Sequence, residues 1–306
     1  MRREIIVLGA CVLLGCFVGD DGAPPSEDET GCETTEGADA DDEFGCVGCP
    51  CDDQAPCDPG LECADVCIPE GMAYISEGPF PRGCVDELCA DDESPLRMIG
   101  LSSYAIDTRE VTVADYLACV TAKYDPCSLP TYAWDGDQSP YNFGAPGRED
   151  HPVNGVTWDQ ATYYCAHLDK RLPTEAEWER AARGSLGERY PWGSSAPTCE
   201  RANLAIGSPG CGAGSTIPTG QLAGGRSPVG AYDMGGNIAE WVSDYYEPGY
   251  YAASPPEDPP GPATGTARGV RGGSWLSPTT DARTSARGFA FDASSEIGFR
   301  CARSIP

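Results

Sequence analysis

The stretch Val156–Arg183, VTWDQATYYCAHLDKRLPTEAEWERAAR, carries the densest local structure signals in the chain. Thr157, followed three residues later by Gln160, forms a capping box that opens a helix. Ala161, Tyr164, Cys165 and Leu168 then recur at helical spacing. Asp169 ends this helix, because a short polar side chain tolerates the left-handed backbone of a C-terminal stop. Pro173 blocks continuation. Thr174 caps a second helix with Glu177 as its box partner, and Gly184 follows as the stop residue. Pattern alone gives two docked helices with a sharp break between them.

The wording KRLPTEAEWE, residues 170–179, is more specific than the pattern. It resembles the signature of the formylglycine-generating, sulfatase-modifying-factor family. Further landmarks of that family follow in order: YAIDTREVT from Tyr104, HPVNGVTW from His151, YPWG from Tyr190, SPVG from Ser227, DMGGNIAEW from Asp233, RGGSW from Arg271 and GFRCAR from Gly298. The resemblance runs from Gly71 to Ile305. It implies an α+β domain of the C-type-lectin-like formylglycine-generating-enzyme fold, low in regular secondary structure, over residues 71–306. One fold hosts many functions, so activity must be argued from the site.

Residues 1–16 begin with Arg2 and Arg3 and an apolar run, Ile5 to Leu14, too short to span a bilayer as a helix. Leu13-Leu14-Gly15-Cys16 resembles a bacterial lipoprotein signal, with lipid on the Cys16 sulfur after cleavage. An ordinary secretory signal would share the charged start and the apolar run. Either form is processed and exports the protein to an oxidising compartment, here the cell envelope. Residues 17–45 hold eleven Asp or Glu and no Lys or Arg, so they form an acidic spacer that cannot bury enough surface to fold. The formal net charge of −28 argues against nucleic acid as a partner.

Residues 46–70 form a short neck that crowds in Cys46, Cys49, Cys51, Cys57, Cys63 and Cys67. A segment this short needs cross-links, and three local disulfides with unspecified pairing are expected. Thiolates of Cys49, Cys51, Cys57 and Cys63 offer a zinc alternative, against which stand export and the lack of a nearby histidine. Further on, proximity in sequence suggests Cys84–Cys89, Cys119–Cys127 and Cys199–Cys211 bridges, the second at the end of a helix over residues 113–123 capped by Thr112. The family resemblance implies a long-range bridge from Cys165 to Cys301. Cys32 is then left without a partner in the spacer.

Trp134, Trp158, Trp178, Trp192, Trp241 and Trp275 are expected to fill the core beneath long Gly- and Pro-rich loops. The resemblance places a calcium ion at Asp233 and Glu240, through their side chains, and at the carbonyls of Gly236 and Ile238. Carboxylates and carbonyls are the hard oxygen donors that calcium takes. A second family calcium site would start at Asn203 and Leu204, but no acidic ligand follows in Cys211 to Gly220.

Oxidases of this family hold copper(I) with two cysteines just after RGGS. Here the stretch reads RGGSWLS, with Ser277 at the expected first position and no cysteine between Cys211 and Cys301. A hydroxyl does not replace a soft thiolate at copper(I), so copper is not expected and no catalytic residue is assigned. His151 and His167 are too few for a three-histidine iron site. Ser274 and Ser277 lie in nothing like a nucleophile elbow. These residues favour a lipid-anchored envelope protein whose calcium-stabilised, non-catalytic domain either binds an envelope protein, a peptide or a glycan or acts as a structural module. The alternative is a formylglycine-generating oxidase, acting on cysteine in proteins, with an altered metal site.

Overall fold

Three threonines open the three long helices. These are α1 (Val113–Thr121), α2 (Trp158–His167) and α3 (Glu175–Arg183), with N-caps Thr112, Thr157 and Thr174. In each, the threonine side chain accepts from the backbone N–H three residues on, and the side chain there (Asp115, Gln160 or Glu177) returns to the threonine N–H. Asp169 adopts φ 52° and Gly184 φ 67°, the left-handed stops that the spacing predicts after α2 and α3. Leu168 lies past the end of α2 and is 42% exposed, so it contributes little to the apolar face of that helix.

The computed structural model describes residues 61–63, 67–84, 86–122 and 127–305. The signal at 1–16 with Cys16, the spacer at 17–45 with Cys32, and most of the neck lie outside the described residues. The chain divides into two units, Met1–Pro69 and Glu70–Pro306. In the first, β1 (Leu61–Cys63) pairs antiparallel with β2 (Cys67–Pro69), and Cys67 is disulfide-bonded.

In the second unit, β3 (Met72–Ile75) and β6 (Tyr104–Asp107) form a three-stranded antiparallel sheet with β11 (Ala302–Ser304), in the order β11-β6-β3. The two ends of the unit therefore meet in one sheet. A hairpin pairs β4 (Gly78–Arg82) with β5 (Arg97–Leu101). The third sheet runs β10-β7-β8-β9, from β7 (Ala239–Tyr245), β8 (Arg268–Arg271), β9 (Arg287–Ala290) and β10 (Ile297–Gly298). Its β10–β7 pair is parallel and the other pairs are antiparallel. A one-turn helix, α4 (Tyr250–Ala253), lies between β7 and β8. Long irregular segments join these elements, as the family resemblance implies for an α+β fold.

Among the described residues, two large apolar cores and a smaller cluster of Tyr190, Ala202, Leu204 and Ala282 hold the unit. Tyr116 of α1 stacks on Tyr164 of α2 with centroids 5.5 Å apart, and Phe299 packs edge-on against both. The Cys165–Cys301 disulfide lies in this core, with both residues fully buried. The second core sets Phe80, Ile99, Tyr104 and Ile106 against Ala176, Trp178, Ala181 and Ala182 of α3. The bridges Cys84–Cys89, Cys119–Cys127 and Cys199–Cys211 are present as well. All Cα separations fall between 5.4 and 5.8 Å, inside the reach of a disulfide.

Every residue of α3 is buried, including Glu175, Glu177, Glu179, Arg180 and Arg183. A helix this polar stays inside only because each charge finds a partner. Glu175 pairs with Arg271 and Arg287, Glu179 with Arg183 and Arg271, and Glu177 with Arg171. Burial would raise the Glu175 carboxyl, but Arg287 and Arg271 hold it down at about 2. The tryptophans divide differently from expectation. Trp178, Trp241 and Trp275 are buried, Trp158 and Trp192 are half-buried, and Trp134 is 36% exposed on an irregular loop. The indole N–H of Trp192 reaches the Ser195 carbonyl at the surface and that of Trp158 reaches the carbonyl of buried Val242, so each half-buried ring keeps a partner for its N–H.

Candidate functional site

Gly272 and Gly273 follow β8 with φ 91° and 74°, left-handed angles that favour glycine. A Cβ at Gly273 would lie 3.0 Å from Cβ of Asp281 and 3.3 Å from Cβ of Ser277, so the chain must turn tightly here. The turn presents Ser274 and Ser277 to a cleft of about 230 Å³. Asp281, Arg287, Ser294 and Glu296 also line it. Ser274 Oγ donates to Glu296 Oε2 at 2.6 Å, and the Ser274 N–H donates to Ser277 Oγ at 3.0 Å. Arg271 and Arg287 form part of the wall, but their guanidinium groups are committed to Glu175 and Glu179. The cleft is therefore lined by hydroxyls and by two carboxylates, Asp281 and Glu296.

No thiolate reaches this cleft. The unit has eight cysteines, and all are joined in four disulfides. The residues present do not fit copper(I), which calls for soft ligands. Ser274 has a carboxylate partner but no imidazole. His151 is held elsewhere, its Nδ1 at 2.9 Å from both Thr216 Oγ1 and Arg148 Nη1. Burial and then Arg148 push its pKa down to about 4, so the ring stays neutral. His167 is exposed at the end of α2.

The residues that the resemblance gives to calcium fit the ion only in part. Glu240 is fully buried and its carboxylate is already taken. Oε2 accepts from Trp178 Nε1 and Arg300 Nε at 2.7 Å each, and Oε1 accepts from Arg300 Nη2 at 2.6 Å. The Gly236 carbonyl accepts from the Ile238 N–H. Asp233, at φ 58°, accepts from the Gly220 N–H through Oδ2 at 2.6 Å. Burial pushes its carboxyl up to about 6.

Glu110, which sequence reasoning missed, is 2% exposed. Its Oε2 accepts from Asn237 Nδ2 at 2.8 Å, and its Oε1 has no partner. Burial, then Asp233 and Glu240, push this carboxyl well above the ordinary range. Three buried carboxylates thus share two guanidinium groups, the buried Arg300 and the exposed Arg109 near Asp233. The surplus negative charge suits a cation beside Asp233 and Glu110, while Glu240 is neutralised by arginine. The only sequence signal for Glu110 was its place inside the YAIDTREVT landmark.

Asn203 and Leu204 serve the fold. Asn203 Nδ2 donates to the Ser215 carbonyl and to Asn237 Oδ1, and the Leu204 carbonyl accepts from the N–H groups of Ile206 and Cys211. Neither residue presents a free oxygen cluster. Among the described residues, three side-chain ligand atoms converge within 4.8 Å only at Cys84, Asp86 and Cys89, where both sulfurs are bonded to each other. No helix among the described residues is long and apolar enough to cross a membrane.

Comparison with known proteins gives the family and the fold. The sulfatase-modifying factor enzyme 1-like domain matches residues 63–305. The formylglycine-generating enzyme of Streptomyces coelicolor is 36% identical over 280 residues, spanning 76% of this chain and 88% of that one. The bovine protein named inactive C-alpha-formylglycine-generating enzyme 2 is 30% identical, over 76% of this chain and 87% of its own. Among solved structures, PvdO from Pseudomonas aeruginosa superposes with a TM-score of 0.63 at 25% identity, covering 85% of this chain and 98% of that one.

Proposed function

Because the chain belongs to the sulfatase-modifying factor enzyme 1-like family, we propose that it is a lipid-anchored cell-envelope protein whose family domain binds a partner and does not oxidise it. The observation that carries this reading is the cleft at Ser274 and Ser277. It offers hydroxyls and carboxylates where an oxidase of this kind needs a pair of thiolates. The bovine relative named inactive supports the same division between fold and activity. The ligand in the envelope is a protein, a peptide or a glycan. A cysteine peptide offered to the domain with copper(I) should be recovered unchanged; its oxidation would reject the binding role.

The anchor rests on Leu13-Leu14-Gly15-Cys16. Lipid on Cys16, with the acidic spacer behind it, would hold the domain off the membrane surface. Cys16→Ser is expected to move the protein from the membrane fraction to the soluble envelope fraction. Retention of the variant in membranes would remove the anchor from the account.

Calcium belongs to the proposal with a revised ligand set. Asp233 and the unpartnered Oε1 of Glu110 supply the carboxylates, and Glu240 does not. An ion bound only by the native state raises the melting temperature as its concentration rises. Asp233→Asn is expected to abolish most of that rise. A calcium response equal to wild type in Asp233→Asn would reject the site.

A further inference from the structure

A second pocket, of about 420 Å³, lies between the start of α2, strands β7 and β8, and the end of β9. Its walls are aromatic and its rim is polar. Trp158, Tyr245 and Phe291 supply rings, and Asp159, Thr266 and Asp292 stand at the mouth. Arg268 is clamped inside, its Cζ 3.5 Å from the centroids of both Trp158 and Tyr245. The indole N–H of Trp158 donates to the Val242 carbonyl at 2.8 Å, so the ring is fixed in place. Arg268 donates to the Ser243 carbonyl through Nη1. Its Nε and Nη2 have no acceptor among the described residues. Phe291 is 73% exposed, with Phe289 packed edge-on against it at 5.7 Å between centroids and Asp292 beside it in the chain. Asp292 uses Oδ1 for the Ala293 N–H and leaves Oδ2 free.

The charges select the ligand class. Two carboxylates at the rim repel anions. The guanidinium already sandwiched between the rings occupies the place that an organic cation would take. A purely apolar ligand would strip water from Asp159, Asp292 and Arg268 without replacing their hydrogen bonds. A neutral saccharide meets all three conditions. Its C–H face stacks on Phe291, its paired hydroxyls donate to the Asp159 and Asp292 carboxylates, and its ring or hydroxyl oxygens accept from Arg268. We infer that this pocket is a saccharide-binding site, separate from the cleft at Ser274 and Ser277. No imidazole or thiol lines it, so the inference is of binding.

Tryptophan fluorescence reports on it directly, because Trp158 and Trp241 line the pocket. The mature protein would be titrated into the millimolar range with cellobiose, maltose, lactose and chitobiose, and separately with spermidine. At least one disaccharide should give a saturable change. Phe291→Ala and Asp292→Asn should each weaken that binding about tenfold, the effect of losing one modest contact. Both residues are exposed, so neither change threatens the fold. Leu186→Ala, exposed and outside both this pocket and the cleft at Ser277, should leave it intact. No saturable change with any of the four disaccharides, saturation by spermidine alone, binding unaltered in Phe291→Ala, or binding lost in Leu186→Ala would each overturn the assignment.

Discussion

Arg300→Met is expected to cost about 3–5 kcal/mol, the range for leaving a buried charge without its partner. Arg300 is fully buried and donates to both oxygens of Glu240, to the Asp107 carbonyl at 3.0 Å and to the Tyr232 carbonyl at 2.7 Å. Methionine fills most of the volume but satisfies none of these acceptors. Glu240 would be left beside Asp233 and Glu110, three buried carboxylates with only the exposed Arg109 acting on Asp233. Glu240→Gln alone should cost less, since an amide oxygen still accepts from Trp178 Nε1 and Arg300. Urea unfolding of the two variants measures the difference. Equal midpoints would show that the loss comes from packing and not from the charge left behind.

Removing the Cys165–Cys301 bridge is the second large effect. The pair closes 136 residues, and the chain-entropy model gives such a loop about 5 kcal/mol. Cys84–Cys89 closes five, worth about 2 kcal/mol in the same model. The double variant Cys165→Ala/Cys301→Ala should therefore shift the urea midpoint far more than Cys84→Ala/Cys89→Ala. Position adds to loop length. Cys165 is on α2 and Cys301 stands just before β11, so the long bridge ties the first apolar core to the sheet that joins both ends of the unit. The short bridge staples a surface turn. Equal shifts would mean that the entropy of the unfolded chain does not control stability here.

Much of the local structure could be read from the chain because its causes lie within a few residues. Thr112, Thr157 and Thr174 cap helices through partners three positions away, and Asp169 and Gly184 stop them through their own backbone angles. The disulfides Cys84–Cys89, Cys119–Cys127 and Cys199–Cys211 follow from proximity, and Cys165–Cys301 from the family resemblance. What could not be read depends on distant partners. EAEWERAAR has the composition of an exposed helix, yet it is buried throughout because Arg271 and Arg287 reach Glu175 from 96 and 112 residues away.

The same cause explains Glu240. Its carboxylate looks like a metal ligand within DMGGNIAEW, but Arg300, 60 residues on, takes both oxygens. Glu110 had no local signal for its unpartnered oxygen. Trp192 and Trp158 show a further limit, since nothing in a tryptophan's neighbours along the chain says whether its N–H will find a carbonyl at the surface or in the core. Ser277 was legible as a substitution. The pairing of Ser274 with Glu296, which gives the cleft its character, came from a residue 22 positions away.

The most direct test of the binding role is mass spectrometry of a cysteine-containing sulfatase peptide incubated with the purified domain, copper(I), oxygen and a reductant. The cleft supplies no thiolate pair to hold the metal, and Cys301 is bonded to Cys165. The peptide should keep its cysteine mass, with and without the domain, and Ser277→Cys should not change the outcome because it restores one ligand of two. Formation of the formylglycine peptide by the wild-type domain, above a control without protein, would contradict the account and establish an oxidase with a different metal site.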